Sequence, residues 1–251
     1  MTGPLTGRSV LVTRPTHQAG ALVQAIRAAG GEAVEFPALA IEPVPTEMLA
    51  GPLAQLARAD IVIFISPNAA EFGMRAIGAL PPVAAVFAVG PGTARALAVH
   101  GVRAVTPAGQ DSEALLALPA LQQVSGKCVV IVRGVGGRPL LAETLSARGA
   151  DVSFLECYRR ALPVRDATAL LARWQAGGID AVTVTSAETL TNLASLLGEA
   201  AWPLLRATPL FVPHEKIAQS ARGFGIAQVV ATAGGDAGLV EGLINWFRNP
   251  A

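Results

Sequence analysis

The stretch Lys127–Arg160, KCVVIVRGVGGRPLLAETLSARGADVSFLECYRR, decides the fold. Cys128–Val132 form a continuous apolar run rich in valine and isoleucine, which is typical of a strand buried on both faces of a parallel sheet. A glycine-rich turn follows, then leucines at helical spacing, and then Gly149, a residue suited to end a helix. The stretch therefore predicts a strand, a helix and a second strand that ends near Tyr158, the only tyrosine of the chain.

This βαβ unit has an earlier copy in the chain. Residues 9–36 repeat the order of strand, arginine, helix, glycine and strand, with Arg14 in the position of Arg133. Further along, IFISPNAAE resembles VTVTSAETL, which places Ser66 in the position of Ser186. We therefore predict an α/β fold with two similar halves, each a doubly wound parallel sheet covered by helices.

The boundaries between the halves are predicted from two proline-containing segments. Pro37–Pro45 and Leu162–Asp166 have the character of extended connectors rather than core strands. The first domain is then discontinuous, residues 1–38 and 163–251, and the second, residues 39–162, is inserted into it. The strands expected in the first domain are Val10–Thr13, Ala33–Phe36, Ala181–Thr185, Pro209–Val212 and Gln228–Ala231. Those expected in the second are Ile61–Ile65, Ala84–Val89, Arg103–Thr106, Cys128–Val132 and Val152–Leu155.

Composition excludes several classes of partner. Of the 251 residues, 52% are hydrophobic and 15% are charged, and the net charge is +1, which argues against a nucleic-acid partner. No apolar run approaches the roughly 20 residues that a membrane span needs. The first residues lack the pattern of a signal peptide, so we expect a cytoplasmic protein without a membrane partner.

Cys128 and Cys157 form no CxxC motif and are expected to be packed thiols rather than metal ligands.

Three hydroxyl side chains stand where a strand gives way to a helix: Ser66, Thr93 and Ser186. Each could cap its helix by accepting a hydrogen bond from a free backbone N–H, or the same N–H groups and hydroxyls could bind an anion. Arginines also fall at strand ends, among them Arg14 and Arg138. Their abundance fits a codon bias, but their placement also suits recognition of carboxylate or phosphate groups.

Tyr158 is followed by Arg159 and Arg160. The tyrosine could be a hinge residue whose ring is packed while its hydroxyl stays in water. It could also donate a hydrogen bond or a proton to a leaving oxygen. Both interpretations stay open on the sequence alone.

The glycine turns raise the possibility of a nucleotide-dependent enzyme. Gly134–Pro139 fits only part of the GxGxxG pattern, because its last position is proline. Ala88–Leu97 has only GxG before a helix, and no P-loop motif occurs. Turns that simply open helices explain these glycines better.

Six motifs together resemble the uroporphyrinogen-III synthase family. They are VLVTRP at Val10–Pro15, ISPNA at Ile65–Ala69, AVGPGTA at Ala88–Ala94, RGxxGRxxLxxxLxxRGA at Arg133–Ala150, YRR at Tyr158–Arg160 and TSAET at Thr185–Thr189. The resemblance implies two flavodoxin-like lobes joined by a two-stranded linker, with the active site in the cleft between the lobes.

The resemblance also implies a reaction and its residues. Hydroxymethylbilane, a linear tetrapyrrole, is closed with inversion of ring D and loss of water to give uroporphyrinogen III, without a cofactor or metal. Tyr158 matches the tyrosine proposed to assist loss of the hydroxyl group. The matching polar and carboxylate-binding positions are Arg14, Ser66, Thr93, Arg138 and Ser186.

One segment departs from the family pattern. Val212–Ala221, VPHEKIAQSA, stands where many relatives repeat a glycine–proline turn like Gly90–Ala94. His214 and Lys216 are expected to replace the contacts of that turn.

The resemblance further implies a monomer that receives its substrate from hydroxymethylbilane synthase. A different class of function, a non-catalytic two-lobed binding or sensor domain of the same fold, is the alternative. The presence of Tyr158 and the absence of an output domain in the sequence favour the enzyme.

Overall fold

A computed structural model describes residues 3–82, 84–109 and 111–248. The chain divides into two compact units, unit 1 with residues Met1–Ala40 and Ala161–Ala251, and unit 2 with residues Ile41–Arg160. Each unit contains one five-stranded sheet. Within the described ranges, no helix is long and apolar enough to cross a membrane.

The strands in chain order are β1 (Ser9–Val12), β2 (Glu32–Glu35), β3 (Ala40–Pro43), β4 (Ile61–Phe64), β5 (Ala85–Ala88), β6 (Cys128–Gly134), β7 (Asp151–Ala161), β8 (Ala181–Thr183), β9 (Leu210–Val212) and β10 (Val229–Ala231). The helices are α1 (Thr16–Ala28), α2 (Ala50–Leu56), α3 (Pro67–Ile77), α4 (Pro91–Val99), α5 (Ser112–Leu116), α6 (Pro119–Gln122), α7 (Leu140–Ala147), α8 (Thr168–Gln175), α9 (Ala187–Leu197), α10 (Trp202–Ala207), α11 (Glu215–Gly223) and α12 (Gly235–Arg248). Short 3₁₀ turns lie at Thr46–Leu49 and Glu199–Ala201.

In unit 1 the strand order is β2-β1-β8-β9-β10, and every neighbouring pair is parallel. This is the order of a flavodoxin-type doubly wound sheet. Alternate residues of β1 face opposite layers, as a strand requires. Val10 and Val12 pack with α1 and α12 on one face, whereas Leu11 packs with Trp174 and Leu190 on the other. Each face of the sheet therefore has its own apolar core.

In unit 2 the order is β5-β4-β6-β7-β3, and the β5-β4, β4-β6 and β6-β7 pairs are parallel. All four residues of β4 are buried. Val62 and Phe64 join the core beneath α2, α3 and α4, and Ile61 and Ile63 join the core beneath α5 and α7. The α/β class with two parallel-dominated sheets, expected from the sequence, is confirmed.

The expectations for the fifth strand of unit 2 are wrong. Arg103–Thr106 forms no strand and contributes only a single bridge, between Phe87 and Val105. The fifth strand is β3, which the sequence pattern presents as an extended connector. Its Pro43 has no N–H to donate, which is tolerated because β3 lies at the edge of the sheet.

The second strand of the βαβ unit, β7, is also longer than expected. β7 has 11 residues and continues past Leu155 to Ala161. Beside it, β6 extends to Gly134, with a shift of register between Arg133 and Gly134 that sets Gly134 opposite Tyr158. This irregularity brings the chain's only tyrosine to the end of β6.

Candidate functional site

The predicted site residues of unit 2 lie along one edge of its sheet. β4, β5, β6 and β7 run parallel, so the segments that follow them leave at a common carboxyl edge, the usual location of ligand sites in such sheets. Ser66 follows β4, and Thr93 lies in the first turn of α4 after β5. Arg138 follows β6, and Tyr158 lies in β7 beside the end of β6.

The structure brings Tyr158 and Ser66 into contact. The phenolic oxygen of Tyr158 lies 3.1 Å from Ser66 Oγ. The tyrosine is only 5% exposed, and its ring packs against Phe72 with the centroids 5.7 Å apart. The Val135 N–H donates to the Tyr158 carbonyl at 2.8 Å. The ring is therefore packed against an aromatic neighbour, its backbone is bonded to the turn after β6, and its hydroxyl has a defined polar neighbour.

Ser66 has the capping role, one of the two that its sequence position suggests, and it also contacts Tyr158. It caps α3, because its Oγ accepts a hydrogen bond of 2.9 Å from the Ala69 N–H. A serine hydroxyl that accepts through oxygen still has its own hydrogen to donate. Ser66 can thus donate to the Tyr158 oxygen, which leaves the phenolic proton available to another acceptor.

Thr93 is buried, at 2% exposure, in the first turn of α4. That helix packs beside α3, the helix capped by Ser66. Among the residues that the structure describes, no hydrogen bond joins Thr93 to Ser66 or to Tyr158. Thr93 therefore belongs to the same edge of the sheet but not to the tyrosine contact.

Arg138 lies in a different place on this edge. Together with Arg133 it lines a cavity of about 140 Å³ whose apolar wall includes Ile131 and Leu141. Ile131 and Leu141 belong to the core beneath α5 and α7, whereas Tyr158 belongs to the core on the other face of the sheet. The tyrosine and this cavity are therefore separated by the sheet. We call this space the arginine cavity.

In unit 1 the predicted residues also follow parallel strands at the carboxyl edge. Arg14 follows β1, and its Nη1 forms an ion pair with Oδ1 of Asp236, at the start of α12. Ser186 follows β8 and caps α9 by accepting from the Thr189 N–H at 3.0 Å. Its Oγ also lies 2.8 Å from the Thr189 hydroxyl. Both polar groups are thus oriented by partners within the unit.

His214 and Lys216 are exposed at the start of α11, after β9. His214 occupies the cap position, yet its side chain makes no capping hydrogen bond. Its ring lies beside Gly234, where the Cβ of any other residue would come within 3.3 Å of Cε1. In the portion of unit 1 that the structure describes, no hydrogen bond joins His214 to Arg14 or Ser186.

Neither cysteine forms a disulfide, and no group of three or more His, Cys, Asp or Glu side chains within the described ranges is placed to hold a metal ion. Cys157 is buried, and its Sγ donates to the Arg133 carbonyl at 3.4 Å. Burial raises the pKa of the Cys157 thiol to about 12. It therefore stays a neutral packing group next to Tyr158 at ordinary pH.

Sequence reasoning misses three residues that orient these side chains. Asp236 and Thr189 hold Arg14 and Ser186, and Gly134 lies opposite Tyr158. Arg133 stands out in the sequence only as one of several strand-end arginines, although it is 5% exposed and lines the arginine cavity. Its position at the end of an apolar strand is the sequence feature that marks it as a site residue.

Comparisons with known proteins agree with one another. The family model described as "Uroporphyrinogen-III synthase HemD" matches residues 20–241. Uroporphyrinogen-III synthase of Salmonella typhimurium (strain LT2) is 42% identical over 229 residues, covering 86% of this chain and 92% of that protein. The protein of the same name from Escherichia coli (strain K12) is 38% identical over 227 residues, with the same coverage.

Solved structures add a similarity of fold. A mutant uroporphyrinogen III synthase from the extremely thermophilic bacterium Thermus thermophilus superimposes with a TM-score of 0.61 at 22% identity, covering 96% of this chain and 99% of that one. The uroporphyrinogen-III synthetase of Helicobacter pylori gives a TM-score of 0.60 at 15% identity, covering 95% and 99%.

Proposed function

This chain belongs to the uroporphyrinogen-III synthase family, enzymes of tetrapyrrole biosynthesis, and we propose that it closes hydroxymethylbilane to uroporphyrinogen III with Tyr158 as its proton donor. The observation that carries the assignment of Tyr158 is its 3.1 Å contact with Ser66 at the carboxyl edge of the unit 2 sheet. There a buried phenol has a hydroxyl neighbour that can donate to it.

The first step is loss of the substrate hydroxyl group. The bond between the terminal methylene carbon and its oxygen breaks, and the oxygen takes the phenolic proton of Tyr158 and leaves as water. The pyrrole nitrogen delocalises the positive charge that remains, which gives an azafulvene cation. Ser66 supports the transient phenolate by donating to it, while its own oxygen keeps the hydrogen bond from Ala69 N–H at the amino terminus of α3.

The second step is attack of the terminal pyrrole on that cation. Attack through the substituted α-carbon of ring D gives a spiro intermediate. The bond from that carbon to the methylene bridge of ring C then breaks, and the bridge carbon bonds to the free α-carbon, which inverts ring D. The proton that the closing ring loses restores the phenol of Tyr158, so the balance is the loss of one water. Because closure without an enzyme gives the uninverted isomer, the main task of the protein is to hold the substrate in the conformation that leads to the spiro route.

The remaining predicted residues would hold the acetate and propionate groups of the substrate. Guanidinium groups bind carboxylates in a bidentate manner, which suits Arg14 and Arg138. Thr93 and Ser186 stand at the amino-terminal ends of helices, where backbone N–H groups favour anions. His214 and Lys216 are exposed, and His214 makes no capping hydrogen bond, which is compatible with a contact to substrate.

Several finer expectations stay predictions. They are the domain boundaries at residues 38/39 and 162/163, the two-stranded linker, substrate binding in the cleft between lobes, the monomeric state and delivery of substrate by hydroxymethylbilane synthase. Substitutions in both units that raise KM for one substrate would support the shared site.

A product assay tests the proposed function. Hydroxymethylbilane is generated in situ, the protein is added, and the oxidised porphyrin isomers are separated. Isomer III in excess over the spontaneous isomer I is the expected result. Isomer I alone, from protein shown to be folded, would contradict the proposal and favour the alternative function, a non-catalytic binding or sensor domain.

A further inference from the structure

The arginine cavity has no role in the proton transfer described above. It lies at the carboxyl edge of the unit 2 sheet, on the face opposite Tyr158. We propose that it is a carboxylate subsite that takes one acetate or propionate arm of the substrate, with Arg133 as the binding residue at its base. This inference rests on the proposed function, since it assigns a place to part of that substrate.

The first support is the state of Arg133. Its side chain is only 6% exposed, yet its charge is incompletely compensated. Nε donates to the neighbouring Gly134 carbonyl at 3.2 Å and lies 3.8 Å from Glu156 Oε1. Neither Nη1 nor Nη2 finds a hydrogen-bond acceptor among the residues that the structure describes. Ser153 Oγ is the only buried side-chain polar atom without a partner among the described residues, so the unbonded Nη groups are open to solvent, where an anion can reach them.

The charges around the cavity favour an anion. Arg138 adds a second guanidinium to the wall, and the described lining includes no acidic side chain. Glu156 approaches Arg133 from the Nε side, accepts from Gly136 N–H at 3.1 Å and lines a neighbouring pocket instead. Asp111, next to the lining residue Ser112, is occupied as the cap of α5. The Nη side of Arg133 is thus left to a ligand.

The shape and the walls favour a short alkyl carboxylate over a bare inorganic anion. Apart from the arginines and Ser112, the lining is apolar, with Ile65, Leu141 and Phe154 among its members. The Arg133 guanidinium lies over the Phe154 ring, 4.8 Å from its centroid, which fixes its plane. A cavity of about 150 Å³ accommodates a benzene ring of six carbons. The arginine cavity is similar in volume, and a propionate arm is no larger than that ring.

The backbone is also built to admit the guanidinium. Gly137 has φ of 108°, and a Cβ at this position would lie 2.6 Å from Nη2 of Arg133. The glycine therefore allows the turn after β6 to pass close to the charged group. The φ value alone already favours glycine at position 137, because other residues rarely adopt it.

The test uses the whole chain and sodium propionate as the probe. Arginine Nε–H resonances are followed by NMR over the millimolar range of propionate at constant ionic strength, and Arg133→Lys identifies the Arg133 resonance. A saturating shift of that resonance is expected. A shift absent with propionate would overturn the inference. An equal saturating shift with inorganic phosphate would indicate a general anion site and overturn the carboxylate assignment.

A cavity-filling variant provides a second test of the subsite. Ala142→Leu on α7 places a larger side chain in the cavity while Arg133 and Arg138 remain, and Ala147→Leu, exposed on the same helix, is the matched control. If both fold, Ala142→Leu should abolish the propionate shift and raise KM about tenfold, the loss of one charge-assisted contact, with kcat little changed. Ala147→Leu should change neither quantity. Equal effects from both variants would overturn the subsite.

The two proposals fail separately. Isomer III formed by a protein that shows no propionate shift would remove the subsite and leave the proposed function. A propionate shift in a folded protein that forms no isomer III would remove the proposed function, and with it the assignment of the cavity to a substrate arm.

Discussion

Gly134 lies directly against the ring of Tyr158. A Cβ built on Gly134 would come within 2.6 Å of both Cε2 and Cζ of the tyrosine. Cζ carries the hydroxyl group, so any side chain at position 134 would displace the atom that holds the phenolic oxygen. The glycine at the end of β6 is therefore part of what positions the phenol.

We expect Gly134→Ala to lower kcat strongly and to change the thermal unfolding midpoint little. The ring must move by several tenths of an ångström to relieve the contact, and misplacing a proton donor by about 1 Å can cost about 100-fold in rate. The measurement is isomer III formation together with thermal unfolding. Gly51→Ala in α2 is the control, because nothing lies within 4 Å of its added Cβ. Unchanged kcat in Gly134→Ala would contradict the positioning role.

Tyr158→Phe removes the phenolic oxygen and keeps the ring packed against Phe72. If the phenol supplies the proton, kcat should fall by about 100-fold or more, the lower end of a typical general acid contribution, while KM changes little. The thermal unfolding midpoint should stay within a few degrees of wild type, because one hydrogen bond contributes about 1 kcal/mol. Full activity would exclude the tyrosine from the mechanism.

Arg14 and Arg8 provide a matched pair at opposite ends of β1. Arg14 pairs with Asp236 at the carboxyl end, and Arg8 pairs with Asp180 at 3.0 Å at the amino end. Arg14→Ala should raise KM about tenfold by removing a carboxylate contact. Arg8→Ala should leave KM unchanged and cost less than about 1 kcal/mol, as exposed ion pairs do. Equal KM values in both variants would exclude Arg14 from substrate binding.

The buried thiol of Cys157 should make the unfolding free energy fall as the pH becomes alkaline. Burial raises its folded-state pKa from 9.0 to about 12, so the folded protein favours the neutral thiol. That contribution is complete below pH 9 and is lost as pH rises from about 9 to about 12. Between pH 8 and pH 10, wild type should lose about 1 kcal/mol of unfolding free energy more than Cys157→Ala does.

Urea unfolding at the two pH values checks this prediction. Cys128→Ala retains Cys157 and should keep the pH dependence of wild type. A Cys157→Ala curve parallel to that of wild type would show that the buried thiol does not set the alkaline slope.

The strands are predictable where burial on both faces leaves an unbroken apolar run. β4, with all four residues buried, and β6 stand out in this way. β3 escapes prediction because Pro43 and its neighbours resemble a connector, and only its place at the sheet edge makes that composition acceptable. The segment Arg103–Thr106 is misleading because hydrogen bonding to β5 stops after one bridge.

The sequence predicts that the candidate site lies at the carboxyl edge of the sheet, but it does not predict the contacts between the site residues. The position of Ser66 directly after a strand follows from the order of elements, yet its hydrogen bond to Tyr158 joins residues 92 positions apart. The pairing of Arg14 with Asp236 likewise depends on tertiary packing.

The interleaved chain order of unit 1 has a consequence for biosynthesis. β1 pairs with β8, and the backbone oxygen of Leu11 accepts from the Thr183 hydroxyl 172 residues further along the chain. At about 5–20 residues per second, the ribosome adds that length in roughly 10–30 s. Throughout that interval the apolar strand β1 lacks its partner β8, while the contiguous unit 2 emerges in full. The nascent chain should therefore need chaperone protection at its beginning rather than in its middle.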